Sequence, residues 1–308
     1  MTAFVFPGQG SQYAGMGKDL AENFPLARVT FEEANDALGI DLAKLCFEGP
    51  EEELKLTANT QPAIVAASIA ALRVFHGETG LTPGCVAGHS LGEYAALVCA
   101  GAITFEDAIR TVRQRGMFMQ DAVPVGMGTM AAIIGLDNEI VDQVCQDVAM
   151  NEIVAPANYN SPGQIVIAGH VSAVQRAMEL AKERGAKRAL PLPVSAPFHC
   201  MLMEPAAKQL EAVLAGVAVA ELSCPVVSNV DAVANRDAGA VRDLLVRQVY
   251  SPVRWEESVV NMIDSGVERF VEIGPGKVLA GLIKRIAKGS AIQNIGTVAD
   301  LKAFTPAL

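Results

Sequence analysis

Positive charge is scarce in this chain of 308 residues, where 24 Lys and Arg stand against 34 Asp and Glu for a net charge of -10. General nucleic-acid binding, which favours strongly basic faces, is therefore not expected. An acidic partner would have to meet a local basic patch. Paired cysteines are also missing: the six thiols, at 46, 85, 99, 145, 200 and 224, include no C-x-x-C. No basic-then-apolar leader opens the sequence. Both features fit reduced thiols and a cytoplasmic protein rather than a disulfide framework. Long apolar runs are absent as well, since Ala63 to Leu72 and Ala212 to Ala220 fall well short of the ~20 residues needed to cross a bilayer. No membrane association is expected.

What the chain does have is material for a core: 51% hydrophobic and 19% charged residues, enough for one large domain or a large domain carrying a smaller one. Short β-branched or aromatic runs alternate with helical patterns, the signature of α/β architecture with a largely parallel sheet. Strands are expected at Ala3 to Phe6, Cys85 to Gly88, Pro225 to Asn229, Arg269 to Ile273 and Ile292 to Gly296. Helices are expected at Pro62 to Phe75, with Pro62 in the first turn and Gly77 as the stop, and at Leu91 to Ala100, Phe105 to Asp121, Ala240 to Val249 and Val278 to Ala287. Between them the rhythm changes. Strand, helix, two strands, helix and strand follow one another from Thr129 to Leu192, the βαββαβ order of a ferredoxin-like unit. The expected division is therefore a discontinuous large domain, 1–124 and 194–308, interrupted by a small domain at 125–193.

The segment "GHSLG", Gly88 to Gly92, sits between an apolar strand and a helical pattern. G-x-S-x-G in that context holds a serine in a sharp turn with its hydroxyl above the sheet, so Ser90 is a candidate nucleophile; an ordinary turn serine is the alternative. Such a hydroxyl needs a general base, and four histidines are available. His76 fits a helix end, His89 lies inside the turn itself, and His170 closes a strand of the small domain. His199, in the proline-stiffened loop "PVSAPFHC", is the preferred base, against the alternative of a satisfied core histidine. Two N–H groups should hold an oxyanion: the backbone of Leu91, and Gln9 in the glycine-rich turn "FPGQGSQ". That turn lacks the third glycine of a dinucleotide site and the lysine of a phosphate-cradling loop.

Arg115 shares one helical face with Ala108, Val112 and Met119. An arginine among apolar neighbours needs a partner, either a carboxylate on a ligand or an internal Asp or Glu, and spacing does not choose between them. Gln248 sits similarly among Val241, Leu244 and Leu245, and alone would be an ordinary buried amide.

In order along the chain, "FPGQGSQYAGMG", "TQPAI", "GHSLGEYAAL", "RQRGMFMQ", "NYNSPGQIVIAG", "APFH", "VRQVYSPVRW" and "VEIGPGKVL" resemble the malonyl-CoA:acyl carrier protein transacylases of fatty-acid synthesis. The resemblance implies an α/β-hydrolase-like large domain with a ferredoxin-like insertion. It also implies Ser90 as nucleophile, His199 as base, Gln9 and Leu91 as the oxyanion hole and Arg115 as the clamp for a malonyl carboxylate. Gln248 would orient His199 through a carbonyl oxygen, where hydrolases use an acid. Asn158 and Asn160 would belong to the substrate site. In related transferases Phe before the histidine accompanies malonyl and Ser accompanies methylmalonyl, so Phe198 implies malonyl. Malonyl-CoA and acyl carrier protein would be the partners, with no metal or redox cofactor, and a monomer is expected. Candidate patches for the acidic carrier protein are Lys182, Arg184, Lys187 and Arg188, and Lys284, Arg285 and Lys288; a plain solvated face is the alternative for each.

Overall fold

The computed structural model describes residues 1–194 and 196–305. Among these residues ten strands form two sheets: β1 (Thr2–Phe6), β2 (Cys85–Gly88), β3 (Gly128–Ile134), β4 (Val154–Ser161), β5 (Gln164–His170), β6 (Arg188–Pro191), β7 (Val226–Val227), β8 (Ala234–Asn235), β9 (Arg269–Ile273) and β10 (Ala291–Ile295). The larger sheet has the order β10-β9-β1-β2-β7-β8 and is parallel except for the short edge strand β8. Its central strands carry apolar residues on both faces because both faces are covered. Phe4 and Phe6 of β1 join the core under the helices Thr57–Thr79 and Phe105–Asp121, whereas Ala3 and Val5 join a second core with Trp255, Val259 and Ile283.

The smaller sheet is antiparallel throughout, in the order β4-β5-β3-β6. With the helices Asn138–Ala149 and Val171–Glu183 it encloses a core of its own, including Ile133, Val144, Ile165 and Val174. Strand pairing and connection order are those of a ferredoxin-like unit. Its β4 reaches the large domain through backbone bonds from Tyr159 N–H to Val253 O and from Val253 N–H to Ala157 O, at 2.9 and 2.8 Å.

Most expected elements lie within two residues of their observed bounds. The helix expected at Pro62 instead runs from Thr57 to Thr79, with Pro62 inside it. A proline there leaves the carbonyl four residues earlier without its intrahelical donor. That carbonyl, on Ala58, accepts a 2.9 Å hydrogen bond from Arg113 Nη1, which is how the helix tolerates the ring. The helix passes through Gly77 and ends at Gly80, whose φ of 66° makes the left-handed cap. His76 therefore sits within the last turn, where its Nδ1 lies 3.0 Å from Leu81 O beyond the cap. The strand expected at Pro225 to Asn229 is reduced to Val226–Val227, which leaves the Asn229 side chain free to bond the turn at Ser90.

Candidate active site

Strand β2 runs directly into the turn at Ser90 and the helix Gly92–Cys99. Ser90 has φ 51°, a left-handed conformation that a non-glycine residue occupies only when its surroundings hold it there. The flanking glycines permit the turn. A Cβ on Gly88 would stand 1.9 Å from Gly92 C, and one on Gly92 would stand 2.2 Å from Phe6 O, so neither position has room for a side chain. Asn229 braces the strained residue: its Oδ1 accepts from Ser90 N–H at 2.7 Å and its Nδ2 donates to Gly88 O at 2.6 Å.

His199 arrives from the loop leaving the small domain, also at positive φ, 59°. Its Nε2 lies 2.8 Å from Ser90 Oγ and its Nδ1 lies 2.8 Å from the backbone carbonyl of Gln248. A carbonyl can only accept, so Nδ1 carries the proton and Nε2 is left to accept from the serine hydroxyl. Burial, and then the positive charge of Arg115, lower the imidazole pKa to about 3. The ring is thus held neutral, the form a base requires.

Arg115 is 1% exposed and has only neutral partners within hydrogen-bond reach among the described residues. Its Nη1 donates to Gln61 Oε1 at 2.8 Å, and its Nη2 donates to Gln248 Oε1 at 2.9 Å and to Ser90 Oγ at 3.1 Å. Nε has no partner. The internal ion pair that the sequence left open is absent among the described residues. A buried guanidinium bonded only to amides and to the Ser90 hydroxyl has the charge and planar fork that suit a carboxylate.

A cavity of about 120 Å³ opens over these groups, lined by Gln9, Gln61, His89, Ser90, Arg115, Met119, Met130, Asn158, Leu192, Val194, Phe198 and His199. Gln9 enters it because Gly8 presses on the elbow; a Cβ on Gly8 would lie 2.5 Å from His89 O. The N–H groups of Gln9 and Leu91 donate to no other group among the described residues. Phe198 and the two methionines make one wall apolar. Asn158 faces the cavity, whereas Asn160 accepts a hydrogen bond at 2.8 Å from His89 Nε2, linking the elbow to β4. Adjacent in sequence to Ser90, His89 nonetheless borders the same cavity.

Gln61, Asn229 and Glu93 have structural roles here that the sequence reading did not give them. Gln61 lay in the segment "TQPAI", a polar residue on an apolar helix. Glu93 lay in "GHSLGEY", and it is buried, its Oε2 accepting from Gln248 Nε2 at 2.8 Å and from Asn229 N–H at 3.0 Å. Asn229 stood in an expected strand and gave no signal of its own.

Residues 3–303 match the model of the acyl transferase domain family. The chain is 53% identical over 301 residues to the malonyl CoA-acyl carrier protein transacylase of Salmonella typhimurium, covering 98% of this chain and 97% of that one. Among solved structures, an acyl carrier protein S-malonyltransferase from Vibrio cholerae superposes with a TM-score of 0.96 at 54% identity, over 98% of this chain and 99% of its own. So does a malonyl-transacylase in complex with a type II PKS acyl-carrier protein, with a TM-score of 0.96, 54% identity and 98% of each chain covered.

Proposed function

The chain belongs to the acyl transferase domain family, and on that premise we propose that it moves a malonyl group from malonyl-CoA to the phosphopantetheine thiol of acyl carrier protein, in fatty-acid biosynthesis. The observation that carries this reading is the guanidinium of Arg115, buried without a carboxylate partner among the described residues and 3.1 Å from Ser90 Oγ. A general esterase has no use for such a group; an enzyme that loads an acid-bearing acyl chain does.

Ser90 Oγ attacks the thioester carbonyl carbon while its proton passes to His199 Nε2, and the N–H groups of Gln9 and Leu91 hold the resulting oxyanion. Collapse breaks the carbon–sulfur bond, and the CoA sulfur takes the proton back from His199. The malonyl ester then waits with its carboxylate on Arg115, bounded by Asn158 and Phe198, until the carrier thiol attacks in the reverse sense. Gln248 serves twice, through its backbone carbonyl on His199 and its side-chain oxygen on Arg115. Phe198 favours malonyl by filling the space of a 2-methyl group, an effect of ~1–3 kcal/mol. Asn160 supports the site through His89 rather than by lining the cavity.

The reaction calls on no metal or redox cofactor. The large domain, 1–124 and 194–308, supplies the nucleophile and the small domain, 125–193, supplies a wall. Among the described residues no helix is long and apolar enough to cross a membrane; a cytoplasmic monomer that binds neither membrane nor nucleic acid is the reading adopted. The acidic carrier protein would dock on exposed Lys182, Arg184, Lys187 and Arg188, or on exposed Lys284, Arg285 and Lys288. Initial rates measured while varying malonyl-CoA and holo acyl carrier protein test the function. Parallel double-reciprocal lines with malonyl-carrier as product are expected; release of free malonate without carrier acylation would make the protein a thioesterase.

A further inference from the structure

Glu93 is not used by the mechanism above, yet among the described residues it is the one carboxylate whose hydrogen bonds reach the nucleophile's supports. It is 2% exposed. Its Oε2 accepts from Gln248 Nε2 at 2.8 Å, and the other end of the same amide, Oε1, accepts from Arg115 Nη2 at 2.9 Å. The amide thus spans a buried anion and a buried cation that do not touch. Its orientation is fixed by the charges at its two ends, since an ionised carboxylate can only accept and a guanidinium can only donate. The Nε2 group also donates to Ser90 O at 3.0 Å, so the amide anchors the elbow as well.

We propose that Glu93 is a specificity-determining residue of this site: ionised, it offsets the charge of Arg115 across the Gln248 amide, and its protonation releases the full cation for an acyl carboxylate. The proposal rests on the malonyl-transfer reading. The groups bearing on Glu93 are few. Arg115 and the N–H groups of Gln248 and Asn229 favour the anion, while burial and the negative charge of Asp231 oppose it. Asp231 is itself held by Arg247, at 2.8 Å. Tyr94 faces Arg115 with its ring, 5.8 Å from Cζ. Burial is the strongest of these influences and pushes the Glu93 carboxyl up to about 7, within the range in which an enzyme of neutral pH works.

The sign follows. Below that value Glu93 is neutral and an arriving carboxylate meets an uncompensated guanidinium. Above it the carboxylate must share the guanidinium with a second anion roughly 10 Å away, which at an effective dielectric of 20 weakens its hold by about tenfold. An acetyl group has no such dependence.

The test is the ratio of KM for acetyl-CoA to KM for malonyl-CoA between pH 5.5 and 8.5. Both donors carry the same CoA and meet the same His199, so their common titrations cancel. The parent ratio should fall by about tenfold as pH rises through 7, and in Glu93→Gln, which keeps an acceptor but no charge, it should be flat and high. A flat ratio in the parent overturns the proposal, and so does a Glu93→Gln profile that still falls. If Glu93→Gln does not fold, the parent profile still decides, together with Glu93→Asp, in which the fall should persist. A parent that forms no malonyl-carrier at all would defeat the malonyl-transfer reading instead, a result distinguishable from a flat ratio in an active enzyme.

Discussion

At the scale of the residue, the site is organised by what Arg115 lacks. Its neutral partners leave a cation in the core, and Arg115→Ala should therefore cut malonyl transfer while leaving acetyl transfer intact or improved. A change in preference of at least ~10-fold is expected, from charge-assisted hydrogen bonds of ~1.5–3 kcal/mol. Arg115→Lys should recover little, because a point charge cannot contact Gln61, Gln248 and a carboxylate as the planar fork does. Equal loss of both activities with a lowered melting temperature would make Arg115 a structural residue. His199 carries a second prediction. Because burial and Arg115 hold its folded pKa near 3, far below that of a free imidazole, acetyl-CoA kcat/KM should show no acid limb near pH 6.5. The linkage has the matching sign: a depressed pKa gives stability that is present above pH 6.5 and is lost as pH falls toward 3. A limb at 6.5 would mean that the imidazole is not buried as described. Ser90, His199 and Arg115 were legible in the sequence because each is an exception to its surroundings: a hydroxyl between glycines, an imidazole among prolines, a charge on an apolar face. Glu93 and Asn229 were not, since their roles depend on chain segments some 136 residues apart meeting at one oxygen.

At the scale of the element, the strand-turn-helix at residues 85–99 does the positioning. Its glycines are required because a Cβ on Gly88 or Gly92 would meet backbone atoms at 1.9 and 2.2 Å, clashes that no rotamer change can relieve. Gly92→Ala should cost at least about 3 kcal/mol, seen as a fall in melting temperature of about 6 °C or more. Gly281→Ala, in a helix with open space around it, should leave the melting temperature unchanged or raised. Similar behaviour of the two variants would contradict the close approach. Asn229→Ala removes two hydrogen bonds from the elbow's backbone and should destabilise by about 1–3 kcal/mol, with a larger proportional loss in the rate of Ser90 acylation; full activity would show that the elbow holds its φ of 51° unaided. Strands β2 and β9 and the helix Phe105–Asp121 could be read to the residue because apolar period and turn signals agreed there. Pro62 misled for a definite reason: the proline rule assumes that the orphaned carbonyl finds no donor, and Arg113, 55 residues away along the chain, provides one.

At the scale of the whole molecule, two sheets with separate cores meet around Ser90, His199 and Arg115. β4 bonds to Val253 on one side, His89 bonds to Asn160 on the other, and the cavity lies between the parallel sheet that carries Ser90 and the small-domain residues Met130 and Asn158. The cavity is thereby bounded by both sheets' surroundings, while Ser90 and His199 come from the part built on the parallel sheet. This arrangement was readable in outline from the interruption of one periodicity by another, but the contacts across the boundary were not, because single polar residues make them. The central claim is that Ser90 carries the malonyl group between two thiols. Intact mass of the protein mixed with malonyl-CoA alone tests it most directly. The account predicts one malonyl adduct on the parent, none on Ser90→Ala, and discharge of the adduct when holo acyl carrier protein is added. An adduct that survives Ser90→Ala, or one that water removes as fast as it forms, would contradict it.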